Sequence, residues 1–305
     1  MAGTRIGSAA VARTQAGVSL LLAFVAIVWG ANYTISTVAL KELDVVEINA
    51  LRFLLAGPLL LLATGIQERE LFVHRRWWPR LVLSSAIGIV AYQLAFTEAI
   101  KLTSPAESSI LIALSPFATI ALARVAGEET PTRPLLIGAA VAFVGVTLVV
   151  LSQPGSDIDN GHAAGDVVAA VAGLLWALYA VITRPLVQVY SPLRVTAWAA
   201  ILGGVVLGLL SVQSLRSFDV HAHSPGAWLS LGYNIVLVTA FGLVAWYAGL
   251  RRIGSARSMV FTFLIPAAAA VFPIVVGLAR PVPAQLAGVA IVLVGIACAQ
   301  FATAR

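Results

Sequence analysis

Charge is scarce in this sequence. Asp, Glu, Lys and Arg supply 10% of its 305 residues, where a soluble domain carries about 25%. Hydrophobic residues supply 60%, more apolar surface than one water-soluble core can hide, so lipid must cover much of it. Cysteine is nearly absent. Cys298 stands alone, which excludes an intramolecular disulfide and a cysteine metal cluster. The four histidines (His74, His162, His221 and His223) all fall in polar connections, so an intramembrane enzyme built on a histidine pair or a Ser/His/Asp set lacks its parts within the apolar segments. No G-x-x-x-x-G-K-[ST] loop occurs, which argues against direct drive by ATP. Strict apolar/polar alternation is missing too, which argues against a barrel. Helices are then the remaining way to satisfy the backbone in lipid. Nothing in the composition implies a cofactor or a metal. The net charge of +6 comes from basic residues scattered over short loops, which fits anionic lipid headgroups better than nucleic acid.

What is present is a series of long apolar runs. Hydropathy gives about ten spans, near 18–38, 46–65, 79–100, 105–125, 134–152, 165–184, 193–213, 226–250, 257–278 and 283–302, each close to the roughly 20 residues that cross a bilayer. The stretch SQPGSDIDNGHAAGD, residues 152–166, reads as a linker between halves. Arg5 and Arg13 resemble a signal-peptide n-region, but the apolar stretch after them is too long for an h-region and shows no clear cleavage site. With the N-terminus in the cytoplasm, fourteen of the nineteen Lys and Arg residues fall on the cytoplasmic side. The positive-inside rule therefore places both termini in the cytoplasm and supports the even number of spans.

The two halves repeat. Trp78 matches Trp228 at a spacing of 150, and the same spacing holds without a gap for Ser108/Ser258, Pro116/Pro266, Gly127/Gly277, Gly138/Gly288 and Gly145/Gly295. Trp29 matches Trp176 at 147. Five spans per unit is an odd number, so the second copy is expected upside down relative to the first. Such 5+5 inverted repeats are an architecture of secondary transporters, with substrate bound near the midplane. The fold class expected is an all-α integral membrane protein with one transmembrane transporter domain over 1–305.

The motifs WGANY at 29–33, LRF at 51–53, LSPF at 114–117 and GEE at 127–129, followed by Gly138 and Gly145, carry a resemblance over nearly the whole chain. The sequence resembles the EamA branch of the drug/metabolite transporter superfamily and is similar in character to its YddG-type amino-acid exporters. The resemblance implies EamA-like repeats over 17–152 and 165–303 and the carriage of small metabolites, often outward. The second copy departs from the first where Leu278 replaces Glu128, so any role for that acid has no twin.

Candidate cavity residues lie on helix faces. Trp29, Asn32, Tyr33 and Ser36 fall at i, i+3, i+4 and i+7. They form either a cavity wall with stacking rings or helix–helix glue through Asn32. Gly30 and Ala31 suit close helix packing. The sixth span shows Trp176, Tyr179 and Thr183 on one face. The third carries Tyr92 and Phe96 with Gln93 and Thr97 beside them, and its twin carries Gly242 and Trp246. The fourth has Ser108 and Ser115, the ninth Ser258 and Thr262. Together they describe a mostly apolar, aromatic small-molecule pocket with few polar anchors. Trp77, Trp78 and Trp228, at span ends, fit interfacial aromatics instead.

Three ionisable groups fall in the apolar regions. Arg52 either snorkels outward or pairs with Glu47, and Glu98 can pair with Lys101. Glu107 sits in a first helical turn, where the dipole favours a carboxylate, and its alternative role is to bind a coupling proton. Pro116 and Pro266 either kink their helices or shape the packing. The function expected is alternating-access transport of small organic solutes, amino acids or related metabolites, across a bacterial inner membrane in the export direction, with no enzymatic step. The expected partners are substrate and lipid, with no obligate protein partner. Multidrug efflux on the same fold, a channel, and a structural membrane subunit are the alternatives.

Overall fold

The computed structural model describes residues 3–102, 105–128, 130–153, 163–216 and 218–301. Ten helical passages are long and apolar enough to cross a bilayer. In chain order, spans one to ten are Ala16–Ala39, Val46–Glu68, Arg75–Phe96, Ser108–Val125, Arg133–Leu151, Ala163–Val189, Pro192–Leu210, Pro225–Ile253, Ser255–Val275 and Pro283–Gln300. They follow the hydropathy spans, and no strand occurs among the described residues. Most of the linker between the halves, the second acid of the GEE motif and the side chains of Thr97, Lys101 and Glu107 lie outside the described residues.

Local chemistry sets the ends. Proline stands in the first turn of the helices beginning at Trp78, Arg133, Pro192 and Pro225, where its missing N–H costs nothing. Gly127 and Gly277, twins at the 150 spacing, follow spans four and nine at φ 69° and 78°, a left-handed conformation that favours glycine. At the start of span two, Glu47 accepts the Asp44 backbone N–H at 2.9 Å. No ion pair joins Glu47 to Arg52 among the described residues, so that sequence-based pairing is not what the fold makes; the carboxylate is used to cap its own helix.

The packing is symmetric under exchange of the halves. Span five lies on span ten and span two on span seven, while span one lies on span nine as span six lies on span four. Small residues let the backbones approach. A Cβ on Gly145 would stand 2.7 Å from the Gly288 carbonyl oxygen, and one on Gly30 would stand 2.7 Å from that of Ile265, so Gly30 serves the packing role its position implies. Large side chains such as Leu20, Leu62, Ile66 and Leu209 point outward, where lipid covers them.

Four spans are irregular at matched places. Span three contains a π-helical stretch, Ala86–Ala91, and span eight another, Asn234–Phe241. Span four breaks between the helices Pro105–Ile112 and Ser115–Val125, and span nine passes through a 3-10 turn at Phe261–Phe263. Pro116 stands in the first turn of the second helix of span four, and Pro266 is third in Leu264–Val275. Each proline thus opens a fresh helical segment, which spares the bond it cannot donate. Such breaks and π-turns recur at functional sites.

Candidate functional site

Spans one, three, six and eight bring their rings together within the helix bundle. Trp176 is the hub. Its ring lies 5.7 Å from Trp29, 4.8 Å from Tyr92, 5.4 Å from Tyr179 and 5.9 Å from Trp246. Trp29 closes the triangle with Trp246 at 5.3 Å. These separations are those of attractive aromatic pairs. The Trp29 indole N–H donates to the Val238 carbonyl at 3.1 Å, inside the π-helical stretch of span eight. Gly242, the next turn on, leaves room for that indole, since a Cβ there would stand 2.6 Å from Trp29 Nε1.

The column has two different ends. Toward the side opposite the N-terminus (the far side), Tyr92 packs on Phe96 at 5.8 Å and Phe96 on Tyr33 at 6.2 Å. Tyr33 is 42% exposed. Toward the N-terminal side the column ends in polar side chains. The Tyr179 and Tyr247 hydroxyls are hydrogen-bonded to each other, and Ser84 bonds Thr183 at 2.5 Å beside them. Gly88 accommodates the Tyr179 ring, which a Cβ would strike at 2.0 Å.

Beyond this plug lie ion pairs. Glu128 meets Arg184 at 3.0 Å, joining the ends of spans four and six. Arg194 meets Glu68 at 2.9 Å and Glu70 at 3.2 Å, joining spans seven and two. On the far side Glu42 accepts the Ser224 N–H at 2.7 Å and its hydroxyl at 2.6 Å. These two donors hold the Glu42 carboxyl below its usual pKa.

The other candidates from the sequence sit apart from the rings. Asn32 accepts the Ser36 hydroxyl at 2.9 Å, and Ser36 accepts Asn234 at 3.0 Å, so Asn32 belongs to a chain tying span one to span eight. Thr262 donates to the Met259 carbonyl of its own turn at 2.7 Å. Ser108 is buried in span four, and Gln93 is half-buried beside Tyr92; neither is in hydrogen-bond contact with the column among the described residues. Trp78 lies against Trp198 at 5.3 Å, and Trp228 against Phe218 and His223, so these span-end rings cluster with protein. Among the described residues no group of three or more His, Cys, Asp or Glu side chains could hold a metal. A shallow groove of about 650 Å³ lined by His221, His223 and Trp228 lies on the far side, away from the rings.

Sequence reasoning missed Tyr247, Ser84 and the Val238 carbonyl. Tyr247 is adjacent to Trp246 in the chain, and a one-face periodicity assigns only one of the two to the pocket. Both are buried, because span eight is enclosed there by spans one, six and seven.

Ten apolar helices packed around a column of rings define a multi-pass, all-helical membrane protein. The model of the EamA-like transporter family matches residues 16–151 and again 163–300, and the chain belongs to that family. It is a membrane transporter. The chain is 25% identical to the aromatic amino acid exporter YddG of Ancylobacter novellus, over 93% of this chain and 98% of that protein. It is 28% identical to a probable terminal-alkyne amino-acid exporter of Streptantibioticus cattleyicolor, over 90% of each. It is 26% identical to the uncharacterized transporter YyaM of Bacillus subtilis, over 91% of each. A solved crystal structure superposes with a TM-score of 0.79 at 20% identity, covering 93% of this chain and 98% of that one, a likeness of fold.

Proposed function

We propose that the chain exports small organic solutes with a flat apolar body, aromatic amino acids or related metabolites, by alternating access between two inverted five-span copies. The observation that carries this is the ring column: Trp29, Tyr92, Phe96, Trp176 and Trp246 converge from four spans. Stacking faces with few polar groups suit such solutes. Two relatives named as amino-acid exporters support the substrate class. The hydrogen-bonded tyrosine plug and the ion pairs on the N-terminal side support closure of that side in this conformation. The protein acts as a carrier, with no enzymatic step, and functions without an obligate protein partner.

Saturable counterflow of tryptophan or phenylalanine is expected in proteoliposomes holding the purified protein, with no pH gradient imposed. Flux that neither saturates nor yields to a competitor would remove the carrier reading and leave a channel or a structural subunit. The stretch from Leu20 to Thr37 holds no acid, and a proton relay needs groups that titrate in a desolvated place. Transport is therefore facilitated or coupled through the substrate's own charge. Uphill transport that follows a pH gradient, and loses that coupling but not counterflow on Glu107→Gln, would instead assign the proton to Glu107.

Both termini face the cytoplasm of a bacterial cell in this reading, because the arginines crowd the N-terminal side. Single cysteines at Gly3 and Asp157, in a variant lacking Cys298, are expected to label with an impermeant thiol reagent at Asp157 only on intact cells. Labelling at Gly3 alone would reverse the orientation.

A further inference from the structure

Arg52 has no carboxylate partner among the described residues. It stands in span two and is 9% exposed. A cation held inside a membrane protein ordinarily pairs, or marks a substrate pathway. Its guanidinium carbon lies 4.5 Å from the centre of the Phe53 ring, a cation–π contact that uses the face of the group and not its N–H edges. Its Nε is buried and makes no hydrogen bond among the described residues. Span two packs against the helix Tyr92–Leu102 and against the π-helical stretch Asn234–Phe241, and Tyr92 is the ring that stacks on Trp176 at 4.8 Å. Glu47, the carboxylate nearest in sequence, is occupied at its own helix start. The column holds a second unused donor, the buried Trp246 Nε1. Both nitrogens, Arg52 Nε and Trp246 Nε1, are donors, so a ligand that satisfies them must bring acceptors.

We propose that Arg52 is the counter-charge for a carboxylate carried by the aromatic solute, whose ring lies on the Tyr92–Trp176 end of the column. This rests on the aromatic-site reading above and narrows it to acids. A guanidinium can hold a carboxylate through two parallel hydrogen bonds. Leaving those donors empty in a desolvated place is what rejects an analogue without the charge. The same cation disfavours amines and other organic cations, which separates this chain from cationic-drug efflux. Arg52 thereby sets specificity, while the rings supply the surface on which any flat solute rests.

Two isosteric probes test this: indole-3-propionate and its carboxamide, titrated calorimetrically into the full-length protein in detergent or nanodiscs. Wild-type protein is expected to bind the acid at least tenfold more tightly than the amide, a difference of about 1.4 kcal/mol. Arg52→Gln is expected to bring the two probes within about twofold by weakening the acid alone, and Arg52→Lys to keep part of the preference. The wild-type comparison needs no variant and stands even if Arg52→Gln fails to fold. Equal binding of both probes by the wild type would overturn the role of Arg52 while leaving the aromatic site in place. A preference that survives in Arg52→Gln, or an equal loss of both probes there, would likewise overturn it. If neither probe binds the wild type, the aromatic site itself is refuted, and this inference with it.

Discussion

Transport of an aromatic amino acid falls at least tenfold when Trp176 is replaced by Ala, and by less when it is replaced by Phe. Trp176 contacts four other rings, one from each of spans one and three and the others from spans six and eight. An aromatic pair contributes about 0.5–1.5 kcal/mol beyond the area it buries, and a tenfold change in rate corresponds to about 1.4 kcal/mol. Loss of the indole's contacts with its neighbours and with a stacked solute is therefore enough. Truncating a buried tryptophan also costs about 3–5 kcal/mol of stability. Flux must accordingly be normalised to folded protein in the membrane, and Trp176→Phe, which keeps a ring, separates lost recognition from lost folding. Trp29→Ala is expected to behave like Trp176→Ala, since the two are twins in the repeat. If both alanine variants fold and carry every tested substrate at wild-type rates, the rings only pack the helices and the site is elsewhere.

The spans were legible because burial in lipid demands unbroken apolar runs, and all ten appear where hydropathy places them. The repeat was legible through its tryptophans, prolines and glycines, and the fold gives those positions matched physical roles. Gly127 and Gly277 both adopt positive φ, and Gly138, Gly145, Gly288 and Gly295 all sit where two backbones touch. The ring cluster of the candidate site was legible only in part. Trp29, Tyr92, Phe96, Trp176, Tyr179 and Trp246 do meet, because rings spaced three or four residues apart share one face of their helix. Asn32 was ambiguous because a helix-bridging amide and a cavity amide share one position on the helix face; only the placement of Ser36 and Asn234 distinguishes them.

What the sequence could not show has two physical causes. The π-helical stretches in spans three and eight use i→i+5 bonds, so the side-chain register shifts across them. A 3.6-residue period cannot be carried from Ser84 to Tyr92, or from Asn234 to Trp246, and the polar plug below the rings is lost from view. The second cause is pairing over long chain separations. Nothing near Glu128 in sequence points to Arg184, 56 residues away, and nothing near Arg52 shows that Glu47 is already engaged. The absence of a twin for Glu128, where Leu278 stands in the second copy, does have a structural counterpart. Among the described residues the ion pair between spans four and six has no equivalent between spans nine and one, so these two contacts are held by different interactions.

Gly242→Ala is expected to impair both stability and transport, and Trp29→Phe in the same chain is expected to restore much of each. The repeat is unequal at this point: the first copy has Tyr92, whose ring stacks on Trp176, and the second has Gly242 in the matching register. The space Gly242 leaves is filled by the indole of Trp29 from the other copy. An alanine Cβ would stand 2.6 Å from Trp29 Nε1, closer than any real contact, so the indole must move. It cannot move freely, because Trp176 and Trp246 flank it and its N–H is bonded to the Val238 carbonyl at 3.1 Å. Overpacking a close-fitted site costs about 1–3 kcal/mol, and loss of the hydrogen bond about 0.5–1.5 kcal/mol. Phenylalanine at position 29 lacks the pyrrole edge that the methyl group strikes, while it keeps a ring against Trp176. In the single variant Trp29→Phe the costs are the lost bond and the volume of the missing pyrrole edge; in the double variant the clash is gone, no further bond is lost, and the added methyl takes up part of that volume. Measured as a cycle on unfolding and on flux, the two substitutions should therefore couple favourably by at least about 1 kcal/mol, within the range for residues in direct contact. Strictly additive effects would mean that the indole does not depend on the glycine for its place, and that the missing side chain at position 242 does not serve the ring column.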